Sequence, residues 1–285
     1  MLTFRKIKKK MKAVSAIEVV AAAYQEISKK EMNQIREMTL KNRQFIKELS
    51  GVYGEAKRAY FLQKEEEEKQ DKKKKEKNLL KPKKKKAVIF FSANARFYGG
   101  LILDVWLRVS DYLAENKADL LVIGEVGKHL AENSDLPGKI HYFKFADEKP
   151  EEKEMQEIID LIKNYQQIKI FHGKFKTVLS QEIAQTDISG EISEEKTEEI
   201  YAYLFEPSSQ AVLDFFRTEL ITAFFTQAFL EHRLSRHATR MVQMYRTREK
   251  AKERKEKLQM EEKKLKWQIL DRKQQEINLS SQSWK

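Results

Sequence analysis

Apolar positions recur at helical steps of three and four through both ends of this chain, and in short unbroken runs through its middle. At the N-terminal end the pattern takes in Ile7, Met11, Val14, Ile17, Val20 with Ala21, Tyr24 and Ile27. It resumes at Ile35, Met38, Phe45, Leu49, Tyr53 and Ala56, with no glycine or proline before Gly51. One apolar seam at this spacing predicts a long amphipathic helix. Ala21, Ala22 and Ala23 form a small patch on it where a partner helix can approach closely. The last third, from 208 to about 279, contains neither proline nor glycine. Pro207 stands just ahead of it as a helix breaker, and Ser208 and Ser209 are candidate N-caps for the orphan amides of a first turn. Leu213, Phe216, Leu220, Phe224, Ala228, Leu234, Ala238, Met241 and Tyr245 then carry a second helical seam. Uninterrupted, this helix would be ~100 Å long at ~1.5 Å per residue, too long for the inside of a compact domain. Two such helices at opposite ends of one chain predict an antiparallel coiled coil.

Between them, strand and helix signals alternate. Ala87, Val88, Ile89, Phe90 and Phe91 make a buried strand, residues 101–113 a helix, 120–124 a second strand and 140–145 a third. Residues 151–165 read as a helix, 168–172 as a strand, 177–184 as a short helix or loop, and 200–205 as a short strand or lead-in to Pro207. Gly99 with Gly100, Gly124 and Gly127 read as tight turns after strands. The fold class expected is α/β plus a long antiparallel coiled coil. The N- and C-terminal helices form the rod, and a Rossmann-like, mostly parallel sheet packs beside it. The boundaries follow as 1–60 for the first helix, 61–86 for a linker, 87–200 for the α/β domain and 201–285 for a foot segment and the last helix.

Charged residues make up 35% of the 285 and hydrophobic ones 41%, a balance suited to long solvated helices beside one modest core. The formal charge of +12 favours an acidic partner, whether nucleic acid, an anionic membrane surface or a protein face. The chain has no cysteine, which excludes disulfides, thiol switches and thiolate metal sites. No apolar run approaches the ~18 residues of a membrane span, so a soluble protein of the cytoplasm is expected, docking on a membrane only through a partner. Residues 63–86, with acidic 65–68 and basic 72–75 and 83–86 around Pro82, read as a solvated, flexible linker. Gly99 and Gly100 lack the spacing of a dinucleotide fingerprint, and there is no phosphate-loop motif. His232 and His237, five apart on the last helix, fall on different faces, so no metal site is assigned. No paired carboxylates or nucleophile elbow stand out. The pattern is that of a rod with a globular domain attached, and the other function classes weighed are a basic coiled-coil scaffold binding nucleic acid and, third, a stand-alone nucleotide-binding α/β enzyme.

Several segments, in order along nearly the whole chain, carry a resemblance. They are Ala16, Ile17, Glu18, Val19, Val20 and the alanines after it; Val122, Ile123 and Gly124; Phe171, His172, Gly173, Lys174, Phe175 and Lys176; and Tyr203, Leu204, Phe205, Glu206, Pro207 and Ser208, continuing to Val212, Leu213 and Asp214. The last is His237, Ala238, Thr239, Arg240, Met241, Val242, Gln243 and Met244. The chain resembles the gamma subunit of F-type ATP synthases, the central rotor shaft. It departs from the family in the loop 92–100, which keeps Gly99 and Gly100 but carries Asn94, Arg96 and Tyr98 where the family usually has aspartate, glycine and cysteine. The family's basic-glutamine element near the C-terminus is represented by Lys273 and Gln274, followed by Ile277 and Asn278.

The resemblance implies a non-catalytic subunit of a proton- or sodium-transporting ATP synthase, with no active site or cofactor of its own. Its partners would be the alpha and beta subunits of the hexamer, the epsilon subunit and the membrane ring of c subunits, with one copy per complex and no nucleic acid. Lys8, Ile17, Arg240, Lys273, Gln274 and Asn278 would make the coupling contacts to the hexamer, and Tyr203, Leu204, Phe205 and Glu206 the foot on the rotor ring. Basic residues of both helices (Arg5, Lys6, Lys8, Lys9, Lys10, Lys12, Arg246, Arg248, Lys252 and Arg254) would face acidic surfaces inside the hexamer. The place implied is the cytoplasmic side of a bacterial plasma membrane, peripherally bound.

Lys273 lies further from Met241 than the family spacing by about seven residues, which is two helical turns and rotates the seam by only ~20°. The apolar face returns after the charged stretch 246–257 at Leu258, Leu265, Ile269 and Ile277. Deleting seven residues between Lys250 and Lys257 should keep assembly and much of the activity. Deleting five should uncouple the enzyme, because ~500° of helix turns the distal tip by about 140°. ATP-driven ion pumping by the two deletion variants checks this, and equal pumping would refute the register argument.

Overall fold

A computed structural model describes residues 4–70, 86–95, 97–134, 136, 138–147, 150–188 and 208–282. The chain divides into two compact units, residues 31–239 and residues 1–30 with 240–285. The two long helices are α1 (Phe4–Gln70) and α5 (Ser209–Gln282), and each contributes to both units. The Ser208 hydroxyl accepts the amide of Ala211 at 3.2 Å, so Ser208 is the residue that caps α5.

In the larger unit, β1 (Lys86–Phe91), α2 (Leu101–Glu115), β2 (Asp119–Ile123), α3 (Glu125–Glu132) and β3 (Ile140–Phe143) follow one another. Then come α4 (Glu152–Ile162), β4 (Gln167–Phe175) and β5 (Gln181–Asp187). The sheet order is β3-β2-β1-β4-β5, parallel except for β5, which runs antiparallel to β4. β1 lies at the centre because both of its faces are apolar. Ile89 and Phe91 enter one core with Ile158, Ile159 and Ile162 of α4 and Ile221, Phe225 and Phe229 of α5. Val88 and Phe90 enter the other with Val105, Trp106 and Val109 of α2. The expected Rossmann-like, mostly parallel sheet is what the chain forms. One of its covering helices is the start of α5.

α1 and α5 are antiparallel within this unit. Asn42 donates to the Ala223 carbonyl and to Gln227 Oε1, both at 3.0 Å, Arg43 pairs with Glu231 at 2.8 Å, and Glu31 meets Arg233 at 3.7 Å. In the smaller unit the same two helices are again antiparallel. Lys255 reaches Glu18 at 3.2 Å, and the Arg240 guanidinium and Lys266 Nζ lie over the rings of Tyr24 and Phe4, respectively.

Four details differ from the sequence reading. First, the buried seam of α1 falls on Ile7, Ala21, Ser28, Met32, Ile35, Thr39 and Ala56, whereas Ile17, Val20, Ile27, Met38 and Phe45 are about half exposed. Ile7, Ala21, Ile35 and Ala56 are thus common to the expected and the buried seam, and at Ser28 and Thr39 the seam lies one position round from the larger Ile27 and Met38. Second, Gly124, at φ 105°, turns the chain out of β2 as the N-cap of a helix, α3, and Gly127 lies within that helix and not at a turn. A Cβ on Gly127 would stand 2.7 Å from Ser92 Cβ, 2.8 Å from Val122 Cγ1 and 2.9 Å from Phe90 Cε1, so this glycine lets α3 lie close on the sheet. Third, the stretch read as a short helix or loop at 177–184 is a turn leading into the polar edge strand β5. Last, α1 continues to Gln70, past the expected boundary at 60; residues 71–85 of the charge run and 200–205 lie outside the described residues.

Gly127→Ala tests the close approach. The added methyl should cost about 1–3 kcal/mol of folding stability, the range for overpacking, read from the urea midpoint of the purified chain.

Candidate functional site at the docked helix

The strand order reverses between β1 and β4. In open α/β sheets the crevice beyond the carboxyl ends of the strands at such a point is the usual ligand position. Here α5 occupies it. Helix α5 is buried around its whole circumference over residues 228–238, a stretch that includes Glu231, His232, Arg233, Arg236 and His237. Burying charge in this way is tolerable only where each charged group is paired.

His232 bridges the two strands at the reversal. Its Nδ1 accepts the Gly173 amide of β4 at 3.0 Å, so the ring proton is on Nε2, which donates to the Ser92 carbonyl at the end of β1, 3.1 Å away. Complete burial, then the nearby Arg236 charge, holds the imidazole well below its ordinary pKa. A Cβ at Gly173 would lie 3.0 Å from Leu101 Cδ1 and 3.1 Å from Ser235 Cβ, tighter than ordinary contact, so the glycine eases the close approach of α5 to β4. One turn on, Arg236 donates to Asp147 Oδ1 at 2.6 Å and to the Asp147 carbonyl at 3.0 Å. Its guanidinium also lies over the Tyr98 ring, 5.3 Å from the centroid. The same carboxylate receives the amides of Asn94 at 2.9 Å and Ala95 at 3.0 Å. Asn94 in turn donates to the Phe145 carbonyl and accepts the amide of Glu125 at the start of α3. The loop after β1, the loop after β3 and α5 therefore share one hydrogen-bonded network.

On the other side, His172 Nδ1 donates to the Gly173 carbonyl at 3.1 Å and Nε2 accepts the Thr186 hydroxyl at 3.0 Å; burial lowers its pKa as well. Burial pushes the Glu231 carboxyl up, but hydrogen bonds from Arg43 and Gln227 outweigh that and hold it below its ordinary value. This ties α1 to the same stretch of α5. The arrangement is a mechanical joint: Glu231, His232 and Arg236 of α5 are engaged with backbone and with side chains of the neighbouring elements. The hydroxyls of Ser92 and Ser235 are buried without a hydrogen-bond partner among the described residues. A cavity of about 530 Å³ elsewhere, between α2 and α3, is lined by Phe97, Tyr98, Ile102, Leu103, Val126 and Leu130, with His129 and Asn133 as its polar members. Its lining is suited to apolar contact.

The residues expected to couple to other subunits lie in the smaller unit. Lys8 is exposed, with Nζ 4.8 Å from the Phe4 ring centre, and Ile17 is half exposed. Arg240 is buried against Tyr24, inside the helix pair. Lys273, Gln274 and Asn278 are exposed on the last turns of α5, and Gln274 donates to Asn278 at 3.4 Å. These residues are not gathered into one cluster. Tyr203, Leu204, Phe205 and Glu206, the expected foot, lie outside the described residues. Sequence reasoning missed Asp147, Ser92, Arg236 and the bridging role of His232. The one available signal was charge and imidazole set among the alanine, leucine and phenylalanine of 223–238.

Comparison with known proteins bears on what this joint serves. The family model described as ATP synthase, that of the gamma subunit, matches residues 3–269. The chain belongs to the ATP synthase gamma-subunit family. Among solved structures, the rotor of the Euglena gracilis mitochondrial ATP synthase has a chain similar to this family member at 12% identity and a TM-score of 0.61, over 94% of this chain and 98% of that one. A second Euglena gracilis structure, of OSCP, F1 and c-ring, gives 11% identity and a TM-score of 0.65 over 98% and 94%. The central stalk and c-ring of the Tetrahymena thermophila mitochondrial enzyme gives 15% and 0.52 over 80% and 98%. At these identities the likeness is one of fold. No curated protein matches. As an ATP synthase subunit, the chain has no described helix long and apolar enough to cross a membrane.

Replacing Asp147 by alanine strands a buried guanidinium and should cost about 3–5 kcal/mol, the range for breaking one side of a buried pair. Arg236→Met should cost less, because Asp147 is partly exposed and keeps two backbone amides. Urea denaturation of both variants checks the order.

Proposed function

We propose that this gamma-family chain works as the central shaft of an F-type ATP synthase, carrying ion-driven rotation of the membrane ring to the catalytic beta subunits. The observation that carries the reading is the double service of α5 in the larger unit. Residues 221–236 are a covering layer of the sheet and, with α1, one half of the antiparallel pair. Torque delivered to the α/β domain therefore reaches the helix through packed side chains and not through a hinge. In the smaller unit α5 continues past Lys266, the residue over Phe4 near the start of α1, as a helix exposed on every side. It carries Trp267, Leu270, Ile277 and Leu279 there, each more than half exposed. Such a tip is suited to seating among the alpha and beta subunits.

On this reading Lys8, Ile17, Lys273, Gln274 and Asn278 meet the hexamer. Arg240, buried on Tyr24, acts from inside the helix pair by fixing its geometry. Tyr203, Leu204, Phe205 and Glu206 contact the ring. The shaft biases each beta subunit between discrete conformations by differential contact, and the bond-making chemistry belongs to those subunits. The epsilon subunit is the remaining partner, one copy of this chain serves each complex, and its place is the cytoplasmic side of a bacterial plasma membrane.

Affinity capture of the tagged chain from native membranes tests the assignment. It should recover alpha, beta and epsilon subunits and the c ring, with ATP hydrolysis in the eluate. Recovery of the chain alone, or with nucleic acid in their place, would overturn it.

A further inference from the structure

We propose that His232 is a proton-sensitive latch on the docked helix: as a neutral Nε2–H imidazole it closes α5 onto the ends of β1 and β4, and as an imidazolium it favours the undocked form. Two partners fix the tautomer of the ring. Both are backbone groups of fixed polarity, the Ser92 carbonyl, which can only accept, and the Gly173 amide, which can only donate. The neutral Nε2–H tautomer alone satisfies both. A second ring proton would turn Nδ1 into a donor pointed at the Gly173 N–H, leaving two buried donors opposed. Neither backbone group can rotate to exchange donor for acceptor. The helix is also in contact there, with the Ser235 Cβ close to the position a Gly173 Cβ would take.

The surrounding charges act in the same direction. Arg236 on α5 opposes a positive ring, as a charged His172 on β4 would, and the Ser92 carbonyl is the group that favours one. The neighbouring carboxylates are engaged elsewhere. Asp147, on the loop after β3, is held by Arg236, and Glu231 on α5 is held by Arg43 of α1 and Gln227. The Phe91 ring of β1 stacks on the imidazole at 5.9 Å. An undocked His232 regains a pKa of ~6.5. The undocked form therefore binds a proton that the docked form excludes, and acid favours undocking. The docked-to-undocked ratio is insensitive to pH above ~6.5 and falls by up to about tenfold per pH unit below it, until the docked ring itself titrates. His172, also buried and neutral, adds a second such proton if β5 separates from β4 as well.

The test uses the full chain and does not rest on the rotor assignment. Nitrogen-15 spectra of the histidine rings should show His232 as the neutral Nε2–H tautomer at pH 7.5. Exchange protection of the Gly173 amide, corrected for intrinsic rate, should fall up to tenfold per unit between pH 6.5 and 5. In His232→Asn, which cannot take up the proton, that fall should disappear, and in His172→Gln it should persist. An imidazolium or an Nδ1–H tautomer at pH 7.5 would overturn the proposal, as would equal pH dependence in wild type and His232→Asn. If the variants fail to fold, the wild-type ring spectra and Gly173 protection decide alone.

Discussion

The structure of the larger unit depends on one helix satisfying two packing partners at once. Residues 221–229 of α5 complete the core on one face of the sheet, where Phe225 and Phe229 meet Phe91 and Phe145. The same turns carry Ala223, Gln227 and Glu231 toward Asn42 and Arg43 of α1. A helix used on both sides has no solvent face on which to place its polar residues. The stretch 228–238 answers this by pairing: Arg236 with Asp147, Glu231 with Arg43, and His232 with two strand ends. The Arg236–Asp147 pair is costly to bury and more costly to break, so the geometry of docking is specified more sharply than an apolar contact would specify it.

How far this was legible in the sequence depended on where polarity and burial coincide. β1 and β2 were readable because a strand covered on both faces needs apolar side chains at every position, which leaves a short unbroken apolar run. β5 was not, because an edge strand with the sequence Gln-Glu-Ile-Ala-Gln-Thr-Asp has few apolar positions to report its pairing. The α3 helix, only eight residues long, was hidden by Gly124, which turns the chain out of β2 at positive φ, and by Gly127, whose absent side chain serves close packing. The α1 seam illustrates the converse error. Val20, Ile27, Met38 and Phe45 dominate a hydrophobicity count, while the buried positions are the smaller or more polar Ala21, Ser28 and Thr39 beside Ile35.

The docking network was the least visible part. Arg236 and Asp147 are 89 residues apart, and no local pattern marks two charged residues as future partners across a fold. Family resemblance pointed to the ends of the helices and to the foot, whose residues 203–206 lie outside the described ones. What the resemblance could not supply was the reason α/β domain and helix hold together. That reason is chemical detail particular to these side chains.

The central claim is that residues 221–236 of α5 belong to the sheet's cooperative unit. Native-state hydrogen exchange of the purified chain, followed peptide by peptide under increasing denaturant, measures this directly. The account predicts that amides of 221–236 open in one transition with those of β1 and β4, at the same free energy. Opening of 221–236 in an earlier, separate transition, with β1 and β4 still protected, would contradict it.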